Sequence, residues 1–480
     1  MPLQAVKIRP GINRSGTATS TEGYWYDGDK IRFRLGSAEK LGGWVKDNGT
    51  YGSGPTPPAG VFWGVCRSLW NWVSLKGRNY VGLGTHLKLY VQDSADGDFY
   101  DVTPLGYTST GVATFVATNG SSVIVVTDAG HGAQTSDFVV FTSAVSLGGD
   151  ITATVLNAEF EITYISSSSY SIDVGVAANA SDTGNGGGST VAEYEITTGN
   201  EYYATAAGFG AGGWSGVTTG FADTGWGESA ATGVGVNLRL WSQRNYGEYL
   251  MVNPRGGALY MWVPSANAGT FERAQILAST NTNTQDGFAY WTTDTSCPSV
   301  CNIVHVSDSS RFLIAFGCND YGSVAINPLL VRWSDQEDFT TWAPAITNQA
   351  GSFSLSAGSQ IIALSPQRQE ILVFTDAAVY SMQYLGPPYV WGFQQLGTNT
   401  SIISPNAVTT AGNVTYWMGI DKFYMYDGRV QTLNCLVWQY VFNNINSDQN
   451  YQVFSGTNEG FNEVWWYYCS QDSVTVDRYV

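Results

Sequence analysis

The stretch Ile371-Leu-Val-Phe-Thr-Asp-Ala-Ala-Val-Tyr-Ser-Met-Gln-Tyr384 consists of an apolar run, a turn of a few residues, and a second run ending in aromatics. The same unit returns at Tyr80–Val91 (YVGLGTHLKLYV), Tyr249–Val263 (YLMVNPRGGALYMWV) and Val414–Tyr426 (VTYWMGIDKFYMY). A stretched copy begins at Phe312 (FLIAFG) and resumes at Leu329 (LLVRW), and Val464–Cys469 (VWWYYC) opens another. Starting points at 249, 312, 371, 414 and 464 are 63, 59, 43 and 50 residues apart, the length of a three- or four-stranded propeller blade with variable loops. The expected fold is therefore all-β: a β-propeller-like, blade-repeat body, with an irregular stack of β-sandwiches as the competing reading. Radial repetition also shields sheet edges that so Thr- and Val-rich a chain would otherwise expose.

Composition agrees. The 480 residues include 56 glycines, 14% are aromatic and only 13% are charged, which favours pleated strands joined by glycine turns. Only Val437–Asn446 offers a short helix. No apolar run reaches the roughly 18 residues needed to cross a bilayer, and Met1–Arg14 lacks the apolar centre of a signal peptide. The expectation is a soluble chain made in the cytosol, with Cys66, Cys297, Cys301, Cys318, Cys435 and Cys469 as free thiols.

The interval from 80 to 249 is too long for one blade. Short strands at Ser122–Thr127, Phe138–Thr142, Ile151–Val155, Phe160–Ile165 and Tyr170–Val174 fill it at roughly ten-residue spacing, with Asn179–Thr190 read as a flexible loop. A Gly- and Trp-rich passage, Gly208–Gly227, follows, pinned by Trp214 and Trp226. Three regions result. Residues 1–105 hold an N-terminal docking segment and the first blade, 106–235 an inserted acidic small β-barrel or β-sandwich domain with its connector, and 236–480 the remaining blades. Charge follows the same division. No Lys or Arg lies between Lys88 and Arg239, a stretch with sixteen acids, whereas the first 46 residues carry eight bases and four acids. A chain with a net charge of −17, a basic end and an acidic middle suits self-association or docking better than tight DNA binding.

Catalytic patterns are weak. His86, His131 and His305 lie in strands or turns with no nucleophile elbow. Glycines such as those of Gly208-Phe-Gly-Ala-Gly-Gly lack the strand-to-helix setting of a phosphate loop. Cys297, Cys301 and His305 are spaced like metal ligands but have no fourth partner nearby, so no metal or cofactor is expected. Trp333-Ser-Asp-Gln-Glu-Asp-Phe-Thr-Thr-Trp342 superficially resembles the Asp-box turn of sialidase propellers, which would raise a carboxylate glycosidase. It departs from that box, and Ser334 or Asp335 is read as capping a single helical turn flanked by Trp333 and Trp342. The expectation is a non-enzyme with no catalytic residues.

That region also carries a family resemblance. Leu330-Val-Arg-Trp-Ser-Asp335 with Asp338-Phe-Thr-Thr-Trp342, then Ala350-Gly, Ile371-Leu-Val-Phe-Thr-Asp376, Tyr380-Ser-Met-Gln-Tyr-Leu-Gly386 and Phe423-Tyr-Met-Tyr-Asp-Gly428, resembles the tail nozzle or hub proteins of short-tailed bacteriophages. These include the packaged-DNA stabilisation proteins and, more distantly, the tail tubular B proteins. Pro10-Gly-Ile-Asn-Arg14 to Gly43-Trp44 is similar to their opening segment, and together these cover about a third of the chain. The resemblance implies a structural virion component of the tail, assembled in the host cytoplasm. It implies a homohexamer below the portal and adaptor ring, in contact with fibre, spike or needle proteins. Its lumen would retain packaged double-stranded DNA, without binding it specifically, and conduct it during ejection. Asp477-Arg-Tyr-Val480 opens a strand where family members continue, so a truncated sequence is expected. The alternative is a receptor- or carbohydrate-binding virion protein, which would form trimers.

Within the N-terminal segment, Lys30, Arg32 and Arg34 share one strand face, and Ile31 and Phe33 the other. The apolar face is expected to pack on the body, leaving the basic face as the candidate inter-subunit or adaptor docking surface. The acidic insertion is expected to stand as an autonomous module, solvated or facing such a basic strand of another subunit.

Overall fold

The computed structural model describes residues 8–17, 19–43, 62–185, 189–197, 199, 201–202, 238–264, 271–277 and 296–480. Gly208–Gly227 with Trp214 and Trp226, and Trp44, lie outside the described residues. The chain divides into two compact units, one of residues 48–353 and one of residues 1–47 with 354–480.

The fold is all-β, with a blade-repeat body. Within residues 48–353, three antiparallel sheets follow chain order. The first blade is Cys66–Val73, Asn79–Thr85, Leu89–Asp93 and Phe99–Asp101. The second is Trp241–Tyr246, Tyr249–Pro254, Tyr260–Trp262 and Gln275–Ile276, and the third Cys301–Val306, Leu313–Asn319, Ile326–Trp333 and Gly351–Ser354. The other unit repeats the pattern. Its fourth blade is Ile361–Pro366, Ile371–Thr375, Ala378–Gly386 and Val390–Thr398, and its fifth Val408–Ala411, Val414–Met418, Phe423–Tyr426 and Val430–Leu433. The sixth has three strands, Phe454–Asn458, Glu463–Tyr468 and Arg478–Tyr479, and the helix Trp438–Asn444 precedes it.

Second strands are predominantly apolar, and in the third blade every residue of Leu313–Asn319 is buried. Neighbouring blades share one core. Trp72, Tyr80, Leu89 and Val91 of the first blade pack with Trp241, Leu250 and Trp262 of the second. Met251 and Met261 of the second pack in turn with Cys301, Leu313 and Trp342 of the third. Gly82 and Gly84 permit the first contact: a Cβ at Gly82 would meet the Gln243 side chain at 2.2 Å, and one at Gly84 the Trp241 ring at 2.6 Å. First strands are also cross-linked, Gln243 donating to Ser68 Oγ (2.9 Å) and Trp70 Nε1 to Asn245 Oδ1 (3.1 Å).

The insertion is a two-sheet sandwich lying between the first and second blades. One sheet orders Thr163–Ser166, Ser169–Asp173, Val123–Thr127, Thr114–Ala117 and Asp182–Asn185. The other orders Glu159–Glu161, Phe138–Thr142, Val191–Glu195 and Leu105–Thr110. Three local readings change. Ile151–Val155 is not a strand, because Thr152 accepts from the Val155 N–H and caps the one-turn helix Ala153–Leu156. Phe160–Ile165 is two strands in different sheets, which turn at the buried Ile162. The segment read as a loop, 179–190, contains the edge strand Asp182–Asn185.

Candidate functional site

A cluster of titratable side chains lies where the insertion meets the first blade. The turn Thr85-His86-Leu87-Lys88 is closed by Thr85 Oγ1, which accepts from the Lys88 N–H (2.8 Å) and donates to the Lys88 carbonyl (3.0 Å). This turn aims Lys88, 1% exposed, inward. Its Nζ donates to Asp101 Oδ2 (2.7 Å), at the end of the same blade, and to Glu159 Oε1 (2.7 Å) and Glu195 Oε1 (2.9 Å) of the insertion. Arg273, from the second blade, donates to Glu195 Oε1 (2.6 Å), to Glu159 Oε1 (3.2 Å) and to the Thr103 carbonyl (3.0 Å), and lies 3.7 Å from Asp101. The Phe138 ring, 4.1 Å from Lys88 Nζ, covers the ammonium.

Two bases thus face three acids in a water-poor setting. Burial opposes the Lys88 charge, but attraction to Asp101, Glu195 and Glu159 outweighs it and raises the ammonium's pKa. Burial also works against ionised Asp101, yet Lys88 and Arg273 hold it down at about 2. Burial, and then Asp101, push Glu195 well above the ordinary carboxyl range. The three carboxylates are close enough to hold a cation, and the Lys88 ammonium occupies that position. Their chemistry here is adhesion between elements. Among these residues only Lys88 carries a sequence signal, as a lone base in the apolar run His86-Leu-Lys-Leu-Tyr-Val91 before the base-free stretch. Glu159, Glu195 and Arg273 carry none.

Other candidates are engaged in structure. Cys301 and Cys318 oppose one another across neighbouring strands of the third blade, and His305 Nδ1 accepts from Arg244 Nε (3.2 Å), so Cys297, Cys301 and His305 do not form a ligand set. The Trp333–Trp342 segment forms no helical turn. Asp335 and Asp338 bridge across a tight turn, and Asp335 Oδ1 accepts from the N–H groups of Gln336 and Gln349 (both 2.8 Å). Asp338 accepts from the Thr340 N–H and hydroxyl and from the Thr341 hydroxyl (2.8, 2.6 and 2.7 Å). Ser334 Oγ accepts from the Leu313 N–H (3.1 Å), while Trp333 and Trp342 donate to the Gln349 and Phe339 carbonyls. A cavity of about 280 Å³ in the third blade is floored by Arg332. Its guanidinium donates to the Asn319 and Ser296 carbonyls and stacks on Tyr321.

The basic N-terminal strand is Ile31–Arg34, paired with Ser37–Lys40. Its basic face is not uniformly free. Arg32 lies 3.3 Å from Glu463 and stacks on Phe461 at 3.4 Å within its own unit. Arg34 is exposed, and Lys30 lies 3.9 Å from the exposed Asp29. Arg14 likewise stacks on Tyr440. Nor is the insertion without neutralising partners, since Lys88 and Arg273 of its own chain meet two of its acids.

No family model and no curated protein matches the chain. Among solved structures, a putative 6-phosphogluconolactonase from Bacteroides uniformis shares 10% identity over 84% of this chain and 90% of that one, with a TM-score of 0.30. An ancestral GH74 enzyme shares 9% over 85% and 56%, at 0.27. The endosialidase of phage phi92 shares 10% over 84% and 52%, at 0.23, so the chain spans about half the length of that enzyme.

Proposed function

We propose that this chain is a structural component of a short phage tail, a nozzle or hub subunit that assembles into a ring and conducts DNA through its lumen. The reading rests on the ordered motifs from Leu330 to Gly428 and the Pro10–Trp44 opening, which resemble that family. The observation that favours it over a glycosidase is the engagement, among the described residues, of the carboxylates that cluster around Lys88 and in the Trp333–Trp342 turn. Asp335 and Asp338 accept from their own turn, and Asp101, Glu159 and Glu195 are held by Lys88 and Arg273, whereas glycosidic chemistry needs a carboxylate pair open to substrate. In a nozzle, isolated bases in the lumen are tolerable, but a continuous Lys and Arg lining would anchor the duplex. The mass of the assembled protein, by native mass spectrometry, tests the reading: a ring of six copies is expected. A trimer would favour the receptor-binding alternative, and sugar release from host glycans would overturn the non-enzymatic assignment.

A further inference from the structure

We infer that the inserted sandwich is an arm that undocks from the blades as an intact domain, and that the side-chain cluster of Lys88, Arg273, Asp101, Glu159 and Glu195 is its latch. Three observations carry this inference. The first is that the sandwich has a private core: every buried member of its apolar cluster, from Ala113 to Tyr194, belongs to the insertion. Separation from the blades therefore leaves it closed. Another is that the chain enters and leaves side by side. The Ile196 N–H donates to the Pro104 carbonyl (3.0 Å) and Glu195 pairs with Leu105, so two adjacent linkers form a natural hinge. The third is the composition of the junction, which gathers the titratable side chains of the latch and packs Ile196 on the core shared by the first two blades. Besides the latch, it contains Trp63 against Phe138 (5.4 Å) and the Gly199 N–H on the His86 carbonyl (3.3 Å).

An interface of buried charges opens more readily than an apolar one, because water rehydrates each ion on opening and offsets much of the lost attraction. Acid acts on it in two opposed directions: Glu195, which burial and then Asp101 raise, favours the docked state in its protonated form, so that its contribution is lost as pH rises, whereas His86 works the other way. The titratable or charged groups around the latch are Lys88, Asp101, Tyr90, His86 and Arg67 from the first blade, Glu159, Glu195 and Asp137 from the insertion, and Arg273 and Arg239 from the second blade side. Burial, then Arg67, lowers His86 to about 4. Its neutral form is preferred in the folded chain, so that contribution to folding is present above its ordinary value and is lost as pH falls from about 6.5 to 4. Asp101 follows only between about 4 and 2.

Hydrogen exchange on the full chain, read by mass spectrometry and corrected for the pH dependence of free-amide exchange, tests the latch. Lys88→Met is expected to speed exchange at Ile196 and Gly199 at least tenfold while the sandwich strand 123–127 keeps its protection. The double variant Lys88→Met with Asp101→Asn removes one charge of each sign and is expected to restore most of the protection. No change in Lys88→Met, or no recovery in the double variant, overturns the charge latch. Should Lys88→Met fail to fold, wild type at pH 7 and pH 4.5 decides. Junction amides exchanging ahead of 123–127 supports the arm, and the two exchanging together overturns it.

Discussion

Two turns in different blades are built alike around one threonine and differ at the three positions after it, most consequentially at the fourth residue. In the first blade Thr85 Oγ1 accepts from the N–H groups of Leu87 and Lys88 and donates to the Lys88 carbonyl. In the fourth, Thr375 Oγ1 accepts from the N–H groups of Ala377 and Ala378 and donates to the Ala378 carbonyl. Both threonines are fully buried, and so are Lys88 and Ala378 at about 1% exposure. This turn therefore rests on the threonine and not on the lysine. The turn fixes the backbone, and the fourth residue is free to suit whatever lies beyond it. In the fourth blade that residue is a small apolar one. In the first it is a cation, because three carboxylates await it.

Exchanging that fourth residue should give the largest effect. Ala378→Lys buries an ammonium with no acid provided and is expected to cost about 4 kcal/mol or more, read as a lower denaturant midpoint for residues 354–480. A small effect would mean that the site is wet and the two turns are not comparable. Acid should separate the units next. All three histidines lie in residues 48–353, and His305 is held down to about 3 by burial and by Arg244. A base with a lowered folded pKa stabilises above its ordinary value and loses that stability as pH falls, here by about 3 kcal/mol at most between pH 6.5 and 4. The other unit has no histidine, and Asp376, also below its ordinary value, acts only under about pH 4. The transition of residues 48–353 should therefore shift first on acidification, and His305→Gln should flatten that shift. Coincident transitions for the two units would contradict this.

The threonines should behave alike. Thr85→Val and Thr375→Val each strand two N–H groups and are expected to cost about 1–3 kcal/mol, seen as similar drops in thermal midpoint. Unequal losses would show that the turns share geometry but not energetics.

The blade repeat was legible because each unit combines an apolar second strand, a short turn and an aromatic third strand, and local pattern survives folding. Thr85 and Thr375 sit at the same place in YVGLGTHLKLYV and ILVFTDAAVYSMQY, so even the shared turn was on the page. The latch was not legible, because Glu159, Glu195 and Arg273 meet Lys88 only after about seventy to nearly two hundred intervening residues fold back, and no spacing rule encodes that. The Trp333–Trp342 turn failed for a different reason. Its acids accept from their own following residues in either a cap or a bridge, and the third-blade strand that supplies the Leu313 N–H selects the bridge. Arg32 and Arg34 share a face by alternation, but which of them finds an acid depends on Glu463 and Phe461, far along the chain.

That last pair sets the smallest and sharpest test. Arg32 is covered by Phe461 and Glu463 at 11% side-chain exposure, so Arg32→Ala should cost about 1–2 kcal/mol through lost stacking and packing. Arg34 lies 5.6 Å from the same ring and is exposed, so Arg34→Ala should change folding stability by less than about 0.5 kcal/mol. If the basic strand docks on a neighbouring subunit or an adaptor, the free bases must do it, because Arg32 already has its partner. Arg34→Glu with Lys30→Glu should then leave the melting transition in place and weaken self-association, an effect that fades as salt screens the contact. Sedimentation at low and high ionic strength measures both. Assembly unchanged in the double reversal would remove this strand from the interface and leave its role as packing alone, with Arg32 as the residue that matters.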